Sequence, residues 1–139
     1  MSHPAIPLGV PEMDADHAAL ELMFERVVET RDEDLAALYR EIEDEVIAHF
    51  AREEVLMDEA GAPVAHCHKT QHRLLLDQFA ATRPGDGPVD AAELRRTLAI
   101  LEEYVEGHVG SVDRVTAQFL GGTLDPAMVA ALRLPEKTG

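Results

Sequence analysis

The segment from His49 to His72 constrains the fold more than any other part of the chain, because it carries two pairs of polar side chains at helical spacing. His49 and Glu53 lie four residues apart, and so do His68 and His72. Residues four apart share one face of a helix, and the Gly-Ala-Pro sequence at 61–63 ends one helix and favours the start of another. Two antiparallel helices of this kind direct three imidazoles and one carboxylate at a common point. Such a set of side chains suits a transition metal.

Apolar residues recur at steps of three and four along most of the sequence, which predicts an all-α fold. Long helices are predicted at about 12–30, 32–60, 63–83 and 90–120, and a short one at about 126–133. The proline-rich residues 1–11 are predicted to form an irregular arm. No clear alternating run of β-branched residues indicates a strand. The 139 residues, of which 46% are hydrophobic, fit one domain, so we predict a single domain over 1–139.

Polar residues near the predicted helix boundaries are expected to act as caps. Asp14 or Asp16 is available near the start of the first helix, and Asp90 with Glu93 has the spacing of a capping box at the start of the fourth. The buried face of the fourth helix is predicted to include Leu94, Leu98, Leu101, Val105, His108 and Val112. That helix is expected to end at Gly121.

The charge balance excludes two classes of partner. The chain has 12 Lys and Arg residues against 27 Asp and Glu residues, a formal net charge of −15, which repels nucleic-acid phosphates and anionic membrane surfaces. The single cysteine, Cys67, rules out an internal disulfide and is compatible with a reducing cytoplasm, where we expect the protein. The N-terminal sequence lacks the basic start and the apolar run of a signal peptide, and no run reaches transmembrane length.

Histidines occur in the apolar face of every long predicted helix. A lone histidine such as His17 is most often a core residue with a satisfied hydrogen bond. Here two of the helices also carry a carboxylate, Glu53 and Asp113, and burying so many polar groups without a common partner would cost several kcal/mol. A metal ion supplies that partner. The histidines concerned are His17, His49, His68, His72 and His108.

Other polar residues of this region are expected to stay on the surface. His3 lies in the proline-rich arm, and His66 is off the face that carries His68 and His72. Cys67 is not expected to bind metal with its neighbours, because adjacent residues of a helix point about 100° apart. For the same reason Glu54, next to Glu53, is expected to face solvent.

Three motifs of the sequence resemble the conserved motifs of the hemerythrin family. The central one is His49-Phe50-x-x-Glu53-Glu54-x-Leu56-Met57, followed by Pro63 and by His68-x-x-x-His72. The first-helix and last-helix motifs are Asp14-x-Asp16-His17-x-x-Leu20 and His108-x-x-x-x-Asp113. The resemblance runs from about Gly9 to Asp113 and fills all seven positions that bind metal in the family.

The resemblance implies an up-down-up-down antiparallel four-helix bundle that holds a non-haem centre of two iron ions. On the family pattern one iron is bound by His68, His72 and His108, the other by His17 and His49, and Glu53 and Asp113 bridge both. The second iron then keeps a vacancy, where hemerythrins bind dioxygen. Val105 stands where the family usually has a bulky aliphatic residue over the dioxygen site. The chain departs from the family at Asp16, usually Gln, at Ala62, often aromatic, and in lacking an N-terminal tryptophan.

The function expected from this resemblance is reversible binding of dioxygen for carriage, storage or sensing, without an enzymatic activity. One alternative is a di-iron oxidase or peroxidase, but carboxylate-rich di-iron bundles use Glu-x-x-His pairs and no histidine here follows a glutamate by three residues. Another alternative is a sensing module that acts through a separate protein. We expect a monomer or a weak oligomer.

Overall fold

The computed structural model describes residues 8–121, which form helices joined by short connections. The α-helices are α1 (Pro11–Glu29), α2 (Leu35–Ala60), α3 (Ala65–Thr82), α4 (Ala91–His108) and α5 (Arg114–Leu120). The turn Asp32–Asp34 is a 3-10 helix that leads into α2, and the π-helical turn Val109–Asp113 joins α4 to α5 in one continuous helix. No strand occurs in residues 8–121. The all-α prediction is confirmed.

Contacts at one end of the molecule show that successive helices run antiparallel. Arg26, late in α1, pairs with Glu41, early in α2 (Nη1–Oε1 3.3 Å). The Tyr39 hydroxyl, early in α2, lies 2.8 Å from Oγ1 of Thr82 at the end of α3. Arg95, early in α4, donates to a carbonyl oxygen in the last turn of α1 at 2.7 Å. The four long helices therefore form an up-down-up-down bundle, as predicted.

Two apolar clusters lie on either side of a layer of polar side chains. Along α1, Met13 belongs to the smaller cluster and Leu20 to the larger, with His17 between them. Along the last helix, Val105 belongs to the larger cluster and Ala117 to the smaller. The polar layer is thus enclosed by apolar side chains above and below, which keeps water away from it.

The helix boundaries differ from the predicted ones in ways that the local chemistry explains. Gly61 ends α2 in the left-handed conformation (φ 65°), as predicted. Pro63 is not the first residue of α3. It lies in a turn closed by the Ala65 N–H donating to the Ala62 carbonyl at 3.1 Å, so α3 begins two residues later than predicted. Asp90 caps α4 by accepting from the Glu93 N–H at 3.1 Å, as predicted.

The start of α1 is stabilised differently from the prediction. Pro11 occupies the first turn, so the irregular arm is one residue shorter than predicted at this end. Asp14 does not cap the helix itself but reaches back to accept from the N–H groups of Leu8 (2.7 Å) and Gly9 (3.2 Å). Asp16 makes no cap either, since its side chain points at α2.

The remaining predictions on the ends of the chain lie outside the described residues. These are the irregular arm over residues 1–7 and the short helix at about 126–133. Within residues 8–121, no helix is both long and apolar enough to cross a membrane.

Candidate metal centre

The structure brings all seven predicted site residues together in the polar layer. Each of the seven is at most 4% exposed. The seven-residue cluster consists of His17, His49, Glu53, His68, His72, His108 and Asp113. Its nitrogen and oxygen atoms form two overlapping groups, each with atoms within 4.8 Å of one another. One group is Glu53, His68, His72, His108 and Asp113, and the other is His17, His49, Glu53 and Asp113.

Glu53 lies between the two groups and faces each with a different oxygen. Its Oε2 lies 2.9 Å from Nε2 of His49 and 3.3 Å from Nε2 of His17. Its Oε1 lies 3.0 Å from Nε2 of His72 and 3.3 Å from Nε2 of His68. A carboxylate placed in this way can bridge two cations, one on each side.

Asp113 repeats this arrangement from the last helix. Its Oδ2 lies 2.9 Å from Nε2 of His17, on the side of the smaller group. Its Oδ1 lies 2.6 Å from Nε2 of His68 and 2.9 Å from Nε2 of His108, on the side of the larger group. The cluster therefore has a two-sided geometry that both carboxylates share.

The π-helical turn Val109–Asp113 explains how His108 and Asp113 reach the same cluster. Residues five apart in an α-helix point about 140° away from each other, whereas a π turn holds an extra residue and restores a common face. The prediction of a regular α-helix with Val112 in its buried face is therefore wrong. Val112 is only partly buried, whereas Asp113 and Thr116 are fully buried. The spacing of His108 and Asp113 was the signal for this turn.

Three histidines of the cluster also contact a polar side chain outside the cluster, through the ring nitrogen that points away from the cluster. The pairs are His49 Nδ1 with Asp16 Oδ2 (3.1 Å), His68 Nδ1 with Thr116 Oγ1 (2.7 Å) and His72 Nδ1 with Glu54 Oε2 (2.9 Å). With Nδ1 bonded to these acceptors, Nε2 of each histidine is directed inward, so Nε2 is the nitrogen that a metal ion would bind.

These outer partners were not predicted from the sequence. Glu54 was expected to face solvent, but its side chain is only 36% exposed and its carboxylate accepts from His72. A side chain at the edge of a buried helix face reaches a neighbouring helix or solvent depending on how the helices are rotated. The sequence pattern alone does not give that rotation. His66 and Cys67 are exposed and lie outside the cluster, as predicted.

The electrostatics of the cluster show how strongly its groups depend on one another. Burial alone would raise the pKa of Glu53, but its hydrogen bonds with the surrounding histidines hold that pKa far below its usual range. Burial alone would lower the pKa of His17 and of His68, but their bonds to Asp113 and Glu53 raise both to about 9. For His108, burial outweighs the contact with Asp113, and its pKa is lowered.

Several buried atoms of the cluster nevertheless lack a partner suited to them. Within residues 8–121, His49 Nε2 and Asp113 Oδ1 have close electrostatic contacts within 3 Å in the cluster but no hydrogen bond of good geometry. Nε2 of His68 and Nε2 of His108 are only 3.1 Å apart, where both lone pairs repel unless a proton or a cation lies near them. Imidazole nitrogens with carboxylate oxygens are a donor set that iron accepts. The cluster can therefore hold a metal ion.

Aromatic and aliphatic side chains close one side of the cluster. The ring of Phe50 stacks on the His72 imidazole, with centroids 3.8 Å apart and 5° between the planes. The same ring lies 5.5 Å from the His49 ring and 5.4 Å from the His108 ring. Phe50 and Val105 belong to one apolar cluster, so this wall separates the polar layer from the rest of the core.

An antiparallel four-helix bundle that carries a buried layer of histidines and shared carboxylates defines the class of bundle-type metal-binding proteins. The family model described as hemerythrin HHE cation binding domain matches residues 8–120. The chain belongs to the hemerythrin family, as its motifs predicted. A bacteriohemerythrin from Ralstonia nicotianae is 31% identical over 118 residues, which cover 84% of this chain and 85% of that relative. No solved structure matches the chain.

Proposed function

We propose that this protein is a non-haem di-iron protein that binds dioxygen reversibly. The observation that carries the proposal is the pair of overlapping groups that share Glu53 and Asp113. In this proposal His68, His72 and His108 would hold one iron ion, His17 and His49 would hold the other, and Glu53 and Asp113 would be shared by both. Membership of the hemerythrin family and similarity to a bacteriohemerythrin support it.

The unequal size of the two groups supports binding of an external ligand. The larger group has three histidines, the smaller has two, and the carboxylates are common to both. The smaller group thus offers one protein ligand fewer, which leaves a position there for a small molecule. Bound iron would supply the electrons that dioxygen binding requires. The side chains of the chain hold and orient the site, and none of them needs to act as a general acid or base.

We propose binding rather than catalysis, with carriage, storage and sensing as possible uses. The cluster is rich in imidazole, and no histidine of the chain follows a glutamate by three residues, unlike the pairs of carboxylate-rich di-iron bundles. An oxidase or a peroxidase is the alternative, and steady substrate-dependent consumption of peroxide would favour it. The cytoplasmic location and the monomeric or weakly oligomeric state stay predictions.

The proposed function predicts about two iron ions per chain, the number that two ligand groups imply. The test is metal analysis of protein produced with ample iron, followed by visible spectra during cycles between anaerobic and aerobic buffer. We expect the absorbance to appear with dioxygen and to disappear when dioxygen is removed. One iron per chain, zinc at full occupancy, or a colour change that does not reverse would contradict the proposal.

Val105 is proposed to form part of the dioxygen pocket. It is 5% exposed and lies three residues before His108 on the same helix face. An apolar side chain there excludes water and anions, which promote oxidation of the site to its inactive state. We expect autoxidation to be slowest in Val105→Leu, intermediate in the natural protein and fastest in Val105→Asn, followed as decay of the dioxygen-dependent absorbance.

A matched control separates this effect from general damage to the core. Leu94 is equally buried on the same helix, about 16 Å from Val105 along the axis. Leu94→Asn should leave the autoxidation rate near that of the natural protein, even if it lowers stability. Equal rates in the Val105 series, or fastest oxidation in Val105→Leu, would show that Val105 does not guard the site.

A further inference from the structure

Asp16 holds His49 and a surface arginine at the same time. Its Oδ2 accepts from Nδ1 of His49 at 3.1 Å and from Nε of Arg52 at 2.8 Å. Its Oδ1 accepts from Nη2 of Arg52 at 2.7 Å. The guanidinium thus binds the carboxylate with two nitrogens, a geometry that fixes both side chains more firmly than a single contact does.

Burial falls in steps from the cluster to the surface along these three residues. The side chain of His49 is 1% exposed, that of Asp16 is 15% exposed and that of Arg52 is 48% exposed. Arg52 is also held from outside by Oε2 of Glu45 at 2.8 Å. A charge on Asp16 is therefore largely removed from solvent, and its interaction with the cluster is screened less than that of a surface charge.

This arrangement differs from those at the other two supported histidines. His68 bonds to the neutral hydroxyl of Thr116, and His72 bonds to the more exposed carboxylate of Glu54. Within residues 8–121, neither of these partners binds an arginine. Of these three outer partners, only Asp16, which bonds to His49, is a carboxylate paired with an arginine. His49 belongs to the smaller group of the cluster.

We propose that Asp16 and Arg52 form a charge-compensated clamp that positions His49 and sets the reduction potential of the metal centre. This inference rests on the proposed di-iron function. Asp16 is a positioning residue: it holds the Nδ1 proton of His49, keeps Nε2 directed at the cluster and adds negative charge through the imidazole. Arg52 offsets that charge, so that the two residues act on the potential with opposite signs.

The opposite signs give the clamp a distinctive test in the iron-loaded full chain. Negative charge stabilises the oxidised state, so Asp16→Asn should raise the reduction potential and Arg52→Gln should lower it. Each change should alter the equilibrium constant for reduction about tenfold, which is about 59 mV for one electron. The double variant Asp16→Asn, Arg52→Gln should lie between the two single variants, near the natural protein.

A second pair on the same two helices provides a matched control. Arg26 and Glu41 also join α1 to α2, with both side chains more than half exposed, about 15 Å from Asp16 along the helix axis. Arg26→Gln removes the same charge as Arg52→Gln but should leave the potential unchanged. The potential is measured by spectroelectrochemical titration, and the retention of iron against a chelator is measured in parallel.

The readouts distinguish a clamp from a purely structural contact. A structural contact would make Asp16→Asn and Arg52→Gln lose iron alike and would not shift the potentials in opposite directions. If Asp16→Asn does not retain iron, Arg52→Gln still has to lower the potential. If the natural protein holds two irons but the two variants shift the reduction potential in the same direction, or not at all, the clamp alone is overturned. A natural protein without two irons would overturn the proposed function and the clamp with it.

Discussion

Replacing Glu53 with alanine is expected to reduce the iron content from about two per chain to a small fraction of that value. Glu53 approaches four histidines within 3.3 Å and faces both groups of the cluster. In the proposed di-iron site its loss would remove a ligand shared by both sides and leave a buried cavity with less negative charge to balance the cations. Glu53→Gln keeps the shape but not the charge, so it should lose nearly as much iron. Metal analysis after gel filtration measures the effect.

Two other glutamates of α2 provide a variant with a smaller expected loss of iron and a control variant. Glu54→Ala removes only the acceptor for Nδ1 of His72, so it should weaken the retention of iron by about 10- to 100-fold rather than abolish binding. Glu59 is exposed near the end of the same helix, and Glu59→Ala should bind iron normally. The alanine variant of Glu53 should therefore lose the most iron, that of Glu54 less, and that of Glu59 none. Equal loss in the Glu53 and Glu59 variants would refute the bridging position.

Residues inside regular helices could be placed from the sequence because helical geometry is fixed. His49 with Glu53 and His68 with His72 obey the four-residue repeat, and all four side chains are buried as predicted. The apolar residues on either side of them gave the direction of the core. The fold class and the residues that meet in the polar layer therefore followed from periodicity and from the family resemblance together.

Departures from regular geometry could not be placed in the same way. The π turn Val109–Asp113 depends on the balance between the less favourable hydrogen bonding of a π turn and the burial of a carboxylate among histidines. The positions of Glu54 and Asp16 depend on the rotation of neighbouring helices. The sequence predicts a solvated residue at Glu54 and a helix cap at Asp16, because those roles are the commoner ones for single acidic residues on a helix.

The metal-free protein is expected to lose stability as the pH rises from about 6.5 to about 9. Without metal, the pKa of His17 and that of His68 are raised to about 9 by their bonds to Asp113 and Glu53, which outweigh burial. A histidine whose pKa is higher in the folded state stabilises that state fully below the unfolded value of about 6.5. The contribution disappears as the pH rises through the folded value.

The expected size of this effect follows mainly from His17 and His68. Burial alone would lower the pKa of His49, but its contacts with Glu53 and Asp16 raise it, so His49 adds to the effect in the same direction. Between pH 6.5 and 9, at about 1.4 kcal/mol per pH unit, His17 and His68 each contribute about 3 kcal/mol to the free energy of unfolding. The two share their carboxylate partners, so their sum is less than additive. The lowered pKa values of Glu53 and Asp113 act at acidic pH, and the lowered pKa of His108 acts below 6.5. These three groups therefore do not change the free energy of unfolding between pH 6.5 and 9.

Bound metal should offset this pH dependence, so comparing the metal-free and iron-loaded forms gives the sharpest test. Iron binds neutral imidazoles, so its affinity rises with pH over the same window in which the metal-free protein loses its ion pairs. The Tm of the metal-free form should fall by about 10 °C or more between pH 6.5 and 9, and the gap to the iron-loaded form should widen. His17→Gln should flatten the fall, whereas His66→Gln, at an exposed site, should not. A metal-free Tm that is constant over this range, or equal to that of the iron-loaded form, would mean that the buried histidines are not charged partners of Glu53 and Asp113.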